Sequence, residues 1–210
     1  MAIYLTGSVT GVRHLLDAQR LGYMNTPANC HTMNQWIWAA DNGCFGKNYV
    51  GDERWFAWLD SFPELVRGLC LFATAPDVVG DAKATLQRSI PWLARIKSLG
   101  YKASFVAQDG LTNKNCPWEE FDALFVGGST EWKLGNDAYR LMEIAKEKGK
   151  WVHVGRVNSR RRYEGMAARG ADSMDGTYIA FGPNVNAPKL MSWVDGWDMQ
   201  HILDFEMSET

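Results

Sequence analysis

Leu71-Phe72-Ala73-Thr74-Ala75-Pro76-Asp77, a helix-patterned stretch from Asp81 to Leu99, then Ser104-Phe105-Val106-Ala107-Gln108: this segment of the 210-residue chain decides the fold class. Its two ends are short, continuous apolar runs, the pattern of strands buried on both faces in a parallel sheet. Between them Leu86, Ile90, Leu93 and Ile96 recur at helical spacing, the stripe of a helix lying on that sheet. Gly100 is a stop signal for the helix. Strand, crossover helix and strand make one parallel unit.

The same grammar extends both ways. Trp36-Ile37-Trp38-Ala39-Ala40 stops at Asp41, and Ala123-Leu124-Phe125-Val126 stops at Gly127-Gly128. Residues 2–6 read as a first strand, followed by a turn with Gly7 and Gly11 and a helix through about Leu21; the next strand leads to Asp41. Glu53 to Val66 reads as helix with Trp55, Trp58 and Leu59 on one face and Pro63 as a late irregularity. Asn136 to Lys148 reads as another, with Leu141, Ile144 and Ala145 inward and Gly149 closing it. Trp151-Val152-His153-Val154 is a strand, Ser159 can cap a helix running to about Arg169, and short strands reach Asp175 and span Thr177 to Phe181. Pro188 to Phe205 reads as mostly helical. About eight strands with crossovers suit a compact α/β fold, a (β/α)8 barrel forming one domain over residues 1–210. The chain is shorter than the roughly 250 residues typical of such barrels, so some helices must be short or absent. A doubly wound open sheet is the main alternative.

Composition narrows the function classes. Hydrophobic residues make up 46% and charged residues 22%, ordinary values for a globular chain. No run approaches the roughly 18 apolar residues of a membrane span. Met1-Ala2-Ile3-Tyr4 lacks the basic start of a signal peptide, so a cytoplasmic location is expected. A net charge of −2 argues against coating nucleic acid by bulk electrostatics, while leaving room for a local basic patch. Cys30, Cys44, Cys70 and Cys116 are widely separated and show no Cys-x-x-Cys spacing, so each reads as a free or buried thiol. Cys30-His31 lacks the second Cys/His pair of a zinc site. Ten tryptophans exceed what the core needs and leave aromatics for base stacking or a subunit interface.

In α/β barrels the chemistry sits at the carboxyl ends of the strands. An Asp after a strand is ordinarily a turn former or helix cap, and a Gly-Gly pair a tight turn. Joint placement on successive strand ends makes Asp41, Asp77, Gln108 and Gly127-Gly128 a candidate pocket. Two carboxylates in one pocket can divide nucleophile from general acid/base, as retaining glycosyl chemistry requires. A further carboxylate, an amide and glycine N–H groups complement the donor and acceptor edge of guanine.

On these residues the chain resembles the tRNA-guanine transglycosylases. Asp41-Asn42-Gly43-Cys44-Phe45 looks like their Asp-Ser-Gly-Gly-Phe motif, and Phe105-Val106-Ala107-Gln108-Asp109-Gly110 is similar to their Val-Gln-Gly-Gly segment. Phe125-Val126-Gly127-Gly128 resembles the strand end that follows, and Gly170-Ala171-Asp172-Ser173-Met174-Asp175 matches a Gly-x-Asp-x-x-Asp segment whose last Asp is the nucleophile. The motifs keep the family's order over residues 41 to 175. The wording of residues 70–81 is closer still to the short phage-encoded DpdA relatives, which put 7-deazaguanines into DNA. The chain shows no Cys-x-Cys-x-x-Cys…His zinc spacing of the tRNA enzymes, which favours DNA over tRNA. Cys44 stands where the family has a glycine, which narrows the pocket.

The resemblance implies a DNA guanine transglycosylase, an enzyme exchanging guanine for a 7-deazaguanine such as preQ0 through a covalent Asp–C1′ intermediate. Asp175 would be nucleophile and Asp41 general acid/base. Asp77, Gln108, Gly127 and Gly128 would read the base, with Asp81 competing with Asp77, and Phe45 would stack on it. Arg156, Arg160, Arg161 and Arg162 are candidates for phosphate contact, the alternative being a solvated helix face. His153, within an apolar strand, reads as a core residue. The expected partners are DNA presenting a flipped or single-stranded guanine and the 7-deazaguanine base, with a homodimer left open and no membrane. No cofactor or metal is expected. The rivals are a non-catalytic nucleic-acid-binding subunit and an N-glycosidase that releases guanine.

Overall fold

In the computed structural model, which describes residues 2–31 and 35–208 with the side chains of 198–208 excepted, eight parallel strands close into a barrel. They are β1 Ile3–Thr6, β2 Gly22–Asn25, β3 Trp38–Ala40, β4 Cys70–Thr74, β5 Ala103–Ala107, β6 Ala123–Val126, β7 Trp151–Val154 and β8 Ser173–Gly176. Each pairs with its neighbour in sequence order, and β1 closes on β8 from Ile3↔Ser173 to Thr6↔Gly176. The helices are α1 Arg13–Asp17, α2 Asp52–Asp60, α3 Glu64–Arg67, α4 Ala82–Ser98, α5 Thr130–Lys133, α6 Asn136–Glu147, α7 Arg160–Ala167 and α8 Pro183–Ser208. The fold is thus a (β/α)8 barrel, and closure excludes the open sheet.

A short chain reaches this architecture by trimming connections. Among the described residues, only a single 3-10 turn at Pro27–Asn29 lies between β2 and β3, and no helix lies between β5 and β6. Side chains alternate across the pleat. Leu5, Met24, Ala39, Phe72 and Ala123 form a small cluster inside the barrel, with Phe125 and Trp151 against it. Their neighbours Tyr4, Tyr23, Trp38, Ala73 and Leu124 belong to the larger layer between sheet and helices.

The strand count matches the sequence reading, but two errors cancel within it. Gly22–Asn25 is a strand that begins at a glycine, a residue that ordinarily signals a break. Here the barrel demands it, because a Cβ on Gly22 would run into the Leu5 side chain. Thr177 to Phe181 is turn rather than strand. The Asn158 carboxamide accepts from the N–H groups of Thr177 and Tyr178, and β8 already has both neighbours.

Helix boundaries shift for local reasons. α1 ends at Asp17, short of Leu21, and the stretch 53–66 is split at Pro63, which precedes α3. The α4 stripe also rotates. Leu93 and Ile96 are buried together with Thr85, Ser89 and Trp92, whereas Ile90 is 41% exposed. Hydrophobicity alone missed the reason: Thr85 Oγ1 bonds both N–H and C=O of Val78, and Ser89 donates to the Pro76 carbonyl. The buried face of α4 therefore clamps the loop that carries Asp77. As read from sequence, Ser159 caps α7 through its side chain, and Asp81, read as the first residue of α4, is its cap.

Candidate active site

One cavity opens at the carboxyl ends of the strands. Its lining includes Asp41, Phe45, Asp77, Gln108, Gly127, Gly128, Arg156 and Asp175. Every residue expected to act on the base is therefore at one place. Asp81 is not; it caps α4, accepting from the Ala84 N–H at 2.9 Å. Cys44 does not line the cavity either, and its N–H bonds the Asn42 carboxamide oxygen. Among the described residues no three His, Cys, Asp or Glu side chains converge as a metal-binding group.

Asp41 directly follows β3. Its N–H donates to the Asn25 carbonyl at 2.9 Å, and its own carbonyl accepts from the Trp55 indole at 3.1 Å. Burial, reinforced by the charges of Asp175 and Asp77, pushes its carboxyl from 3.8 up to about 7. At neutral pH it is poised to accept or give a proton.

Asp77 lies three residues beyond β4 and is 5% exposed. Its Oδ1 accepts from Asn42 Nδ2 at 2.7 Å and its Oδ2 from Gln108 Nε2 at 2.6 Å. Burial raises its proton affinity, opposed by these two amide bonds. The Gln108 side-chain oxygen Oε1 in turn accepts from the N–H groups of Gly80 and Gly128, each at 2.9 Å. The five residues thus form a connected network, and the Gly128 N–H is spent within it. The capacity left for a ligand is the second N–H of Gln108 and the remaining lone pairs of Asp77. Asn42, which sequence reasoning passed over, holds that carboxylate and also the Ala75 carbonyl. Thr74 Oγ1 adds a hydroxyl on the cavity wall with no partner among the described residues.

The glycine pair is required by packing. A Cβ on Gly127 would sit 2.7 Å from Val106 Cγ1; one on Gly128, whose φ is +63°, would sit 2.6 Å from the Trp132 ring.

Asp175, on β8, meets two donors. His153 Nε2 lies 3.1 Å and the Arg156 N–H 3.3 Å from its Oδ1. His153 is fully buried, and its Nδ1 is 2.8 Å from Ser173 Oγ, which also takes the Trp151 indole N–H at 2.8 Å. A carboxylate oxygen accepts and an indole N–H donates, so the Asp175 contact sets the His153 proton on Nε2, and Nδ1 accepts from the Ser173 hydroxyl, whose oxygen takes the Trp151 indole N–H. Burial lowers the proton affinity of His153 despite the adjacent carboxylate, consistent with a neutral imidazole. The sequence reading placed His153 in the core, which is correct, but missed its contact with Asp175. The signal was its spacing: residues two apart on one strand share a face, and Ser173 and Asp175 share the matching face of β8.

Of the four arginines, Arg156 alone lines the main cavity. Its backbone is left-handed at φ 60°, its guanidinium donates to the Gly128 carbonyl, and it lies 4.9 Å from the Phe45 ring centroid. It therefore ties the β6 loop to Phe45, which is 68% exposed at the rim. Arg160 pairs with Glu164 at 2.6 Å, and Arg161 is exposed.

Neither the protein-family models nor the curated proteins searched give a match to this chain.

Proposed function

We propose that this protein is a guanine transglycosylase acting on DNA, replacing guanine with a 7-deazaguanine base such as preQ0. The observation that carries the reading is the convergence of Asp41, Phe45, Asp77, Gln108, Gly127, Gly128 and Asp175 on one cavity, in the order of the family motifs they resemble. The target nucleotide has to leave the base stack to reach a site inside a barrel mouth. Phe45 stacks on the base, and Asp77 with the free N–H of Gln108 reads its edge.

Asp175, oriented by His153 Nε2–H and the Arg156 N–H, attacks C1′ as the glycosidic bond to guanine breaks, and Asp41 gives its proton to the departing ring nitrogen. A covalent glycosyl–enzyme results. Asp41 then takes the ring proton of the incoming base, whose nitrogen attacks C1′ from the face guanine left, restoring the Asp175 carboxylate with net retention. The separate environments of Asp41 and Asp175 suit this split between proton transfer and nucleophile.

The test is incubation of guanine-containing DNA with labelled preQ0, followed by nucleoside mass spectrometry, with tRNA as a parallel substrate. Wild-type protein incorporates the base into DNA. Asp175→Ala incorporates none while keeping the wild-type melting profile. Incorporation by that variant at the wild-type rate refutes the nucleophile assignment. Guanine release without incorporation would instead identify an N-glycosidase, and incorporation into tRNA alone would overturn the choice of DNA.

A further inference from the structure

The peptide joining Gly155 to Arg156 is held at both ends. Its N–H, carried by Arg156, donates to Asp175 Oδ1 at 3.3 Å. Its carbonyl, carried by Gly155, accepts from the Lys133 ammonium. In a trans peptide these two groups point in opposite directions, so Lys133 lies on the far side of the peptide from Asp175. The next N–H, of Val157, donates to the Asp175 carbonyl at 2.6 Å. The Arg156 guanidinium is engaged elsewhere, with the Gly128 carbonyl and the Phe45 ring.

This approach of backbone to carboxylate is built in. A Cβ on Gly155 would sit 2.8 Å from the Phe125 ring and 3.2 Å from Asp175 Oδ1. Arg156 holds a φ of 60°, a left-handed conformation that residues other than glycine rarely take. Such strain persists only where the surroundings impose it. Here the Lys133 bond fixes the carbonyl just before the strained residue.

Lys133 is the last residue of α5 and is 5% exposed. The Ser129 side chain caps that helix, and Asp109 holds the Ser129 N–H and hydroxyl in turn. A buried ammonium ordinarily faces a carboxylate, since desolvation without a partner is costly. Among the described residues, however, the Lys133 side chain bonds only that neutral carbonyl. Burial and the charges of Arg156 and Arg162 push it down to about 8, and Asp175 is the one charge that opposes them. Burial, reinforced by the Lys133 charge, also keeps the His153 imidazole neutral. Packing alone would be served better by an apolar side chain. The compensating charge is Asp175, reached through the peptide. Ammonium, peptide dipole and carboxylate lie in series, each polarising the next.

We infer that Lys133 is a positioning residue for Asp175, its ammonium fixing and polarising the Gly155–Arg156 peptide so that the Arg156 N–H holds Oδ1. His153 donates to the same oxygen, which leaves Oδ2 free to attack C1′. That consequence for catalysis rests on the transglycosylase reading; the coupling of Lys133 to Asp175 does not.

The test follows the Lys133 Cε and Arg156 amide resonances by NMR from pH 6 to 10. It uses an Asp41→Asn background, which removes the carboxyl that titrates near 7. Arginines keep their charge over this range, so Lys133 is the neighbour of the peptide that titrates. Both resonances are expected to pass through one inflection near 8. Adding Asp175→Asn moves the Lys133 inflection to lower pH, and adding Lys133→Met abolishes that of Arg156. In otherwise wild-type protein, Lys133→Met slows single-turnover base exchange by up to about 100-fold, with oligonucleotide affinity unchanged. An Arg156 amide that stays flat while Lys133 titrates overturns the inference. A Lys133 inflection unmoved by Asp175→Asn does the same, and neither result needs Lys133→Met to fold. Exchange by Lys133→Met at the wild-type rate also refutes the positioning role. Coupled inflections in a protein that exchanges no base uphold the link between Lys133 and Asp175 and refute the transglycosylase reading.

Discussion

Asp41→Asn should make the protein more stable at alkaline pH while abolishing base exchange. Asp41 shares the barrel mouth with two other carboxylates, Asp77 and Asp175, and burial with their charges raises it from 3.8 to about 7. In the unfolded chain the carboxyl ionises near 3.8; in the native protein it keeps its proton until about 7. Between those values the native state binds the extra proton, so stability falls as pH rises across that window. The penalty is absent below pH 3.8 and complete above about 7. At about 1.4 kcal/mol per tenfold change in proton affinity, the full gap corresponds to about 4 kcal/mol. Asp41 is partly exposed, and solvent screening reduces this to about 2 kcal/mol. Asn keeps the side chain's shape and an acceptor oxygen but carries no charge. The variant should therefore match the wild type at pH 4 and exceed it by about 2 kcal/mol at pH 8, which is about 4–8 °C in melting temperature for a domain of this size. Thermal melts of both proteins at a series of pH values provide the assay. A variant no more stable than wild type at pH 8, or a difference independent of pH, would show that Asp41 carries no such burden.

If the transglycosylase proposal holds, the same ionisation predicts that exchange falls as pH rises past about 7, because Asp41 has to start protonated to release guanine before it takes the incoming base's proton; a rate flat from pH 6 to 8 contradicts that role. His153→Phe keeps the ring packing on Phe72 and Phe125, at 5.0 and 4.4 Å between centroids, but removes the donor to Asp175. Losing a hydrogen bond to a charged group, about 1.5–3 kcal/mol, should slow single-turnover exchange roughly 10- to 100-fold, and an unchanged rate removes His153 from the site. Gly128→Ala forces a Cβ against the Trp132 ring at φ +63° and should cost about 1–3 kcal/mol in urea unfolding. Gly43→Ala, at φ +75° with nothing within 4 Å, should cost only the backbone strain of about 1–2 kcal/mol. Equal losses for the pair would mean the Trp132 contact is irrelevant.

Much of the barrel was legible because parallel strands advertise themselves. Trp38–Ala40, Ala103–Ala107 and Ala123–Val126 are apolar on both faces, and each ends beside a residue that lines the cavity. Gly22–Asn25 was illegible because its opening glycine answers to Leu5, on another strand. Asp77 was the sequence's choice to read the base, with Asp81 close enough to compete. They separate only once Thr85 and Ser89 tie the loop to α4, with Asp77 on Gln108 and Asp81 left as a cap.

The sequence by itself determined the strand–helix alternation, the positions of the carboxylates and glycines at strand ends, and the cap at Ser159, since periodicity and capping are local. Tertiary structure decided closure of β8 on β1, the His153–Asp175 contact, the network around Gln108, and the gathering of Lys133 with Arg156 and Arg162. These pair residues from different strands and helices, up to opposite ends of the chain. No local pattern encodes such pairs, because their energies exist only when the sheet has closed and water has left the barrel mouth.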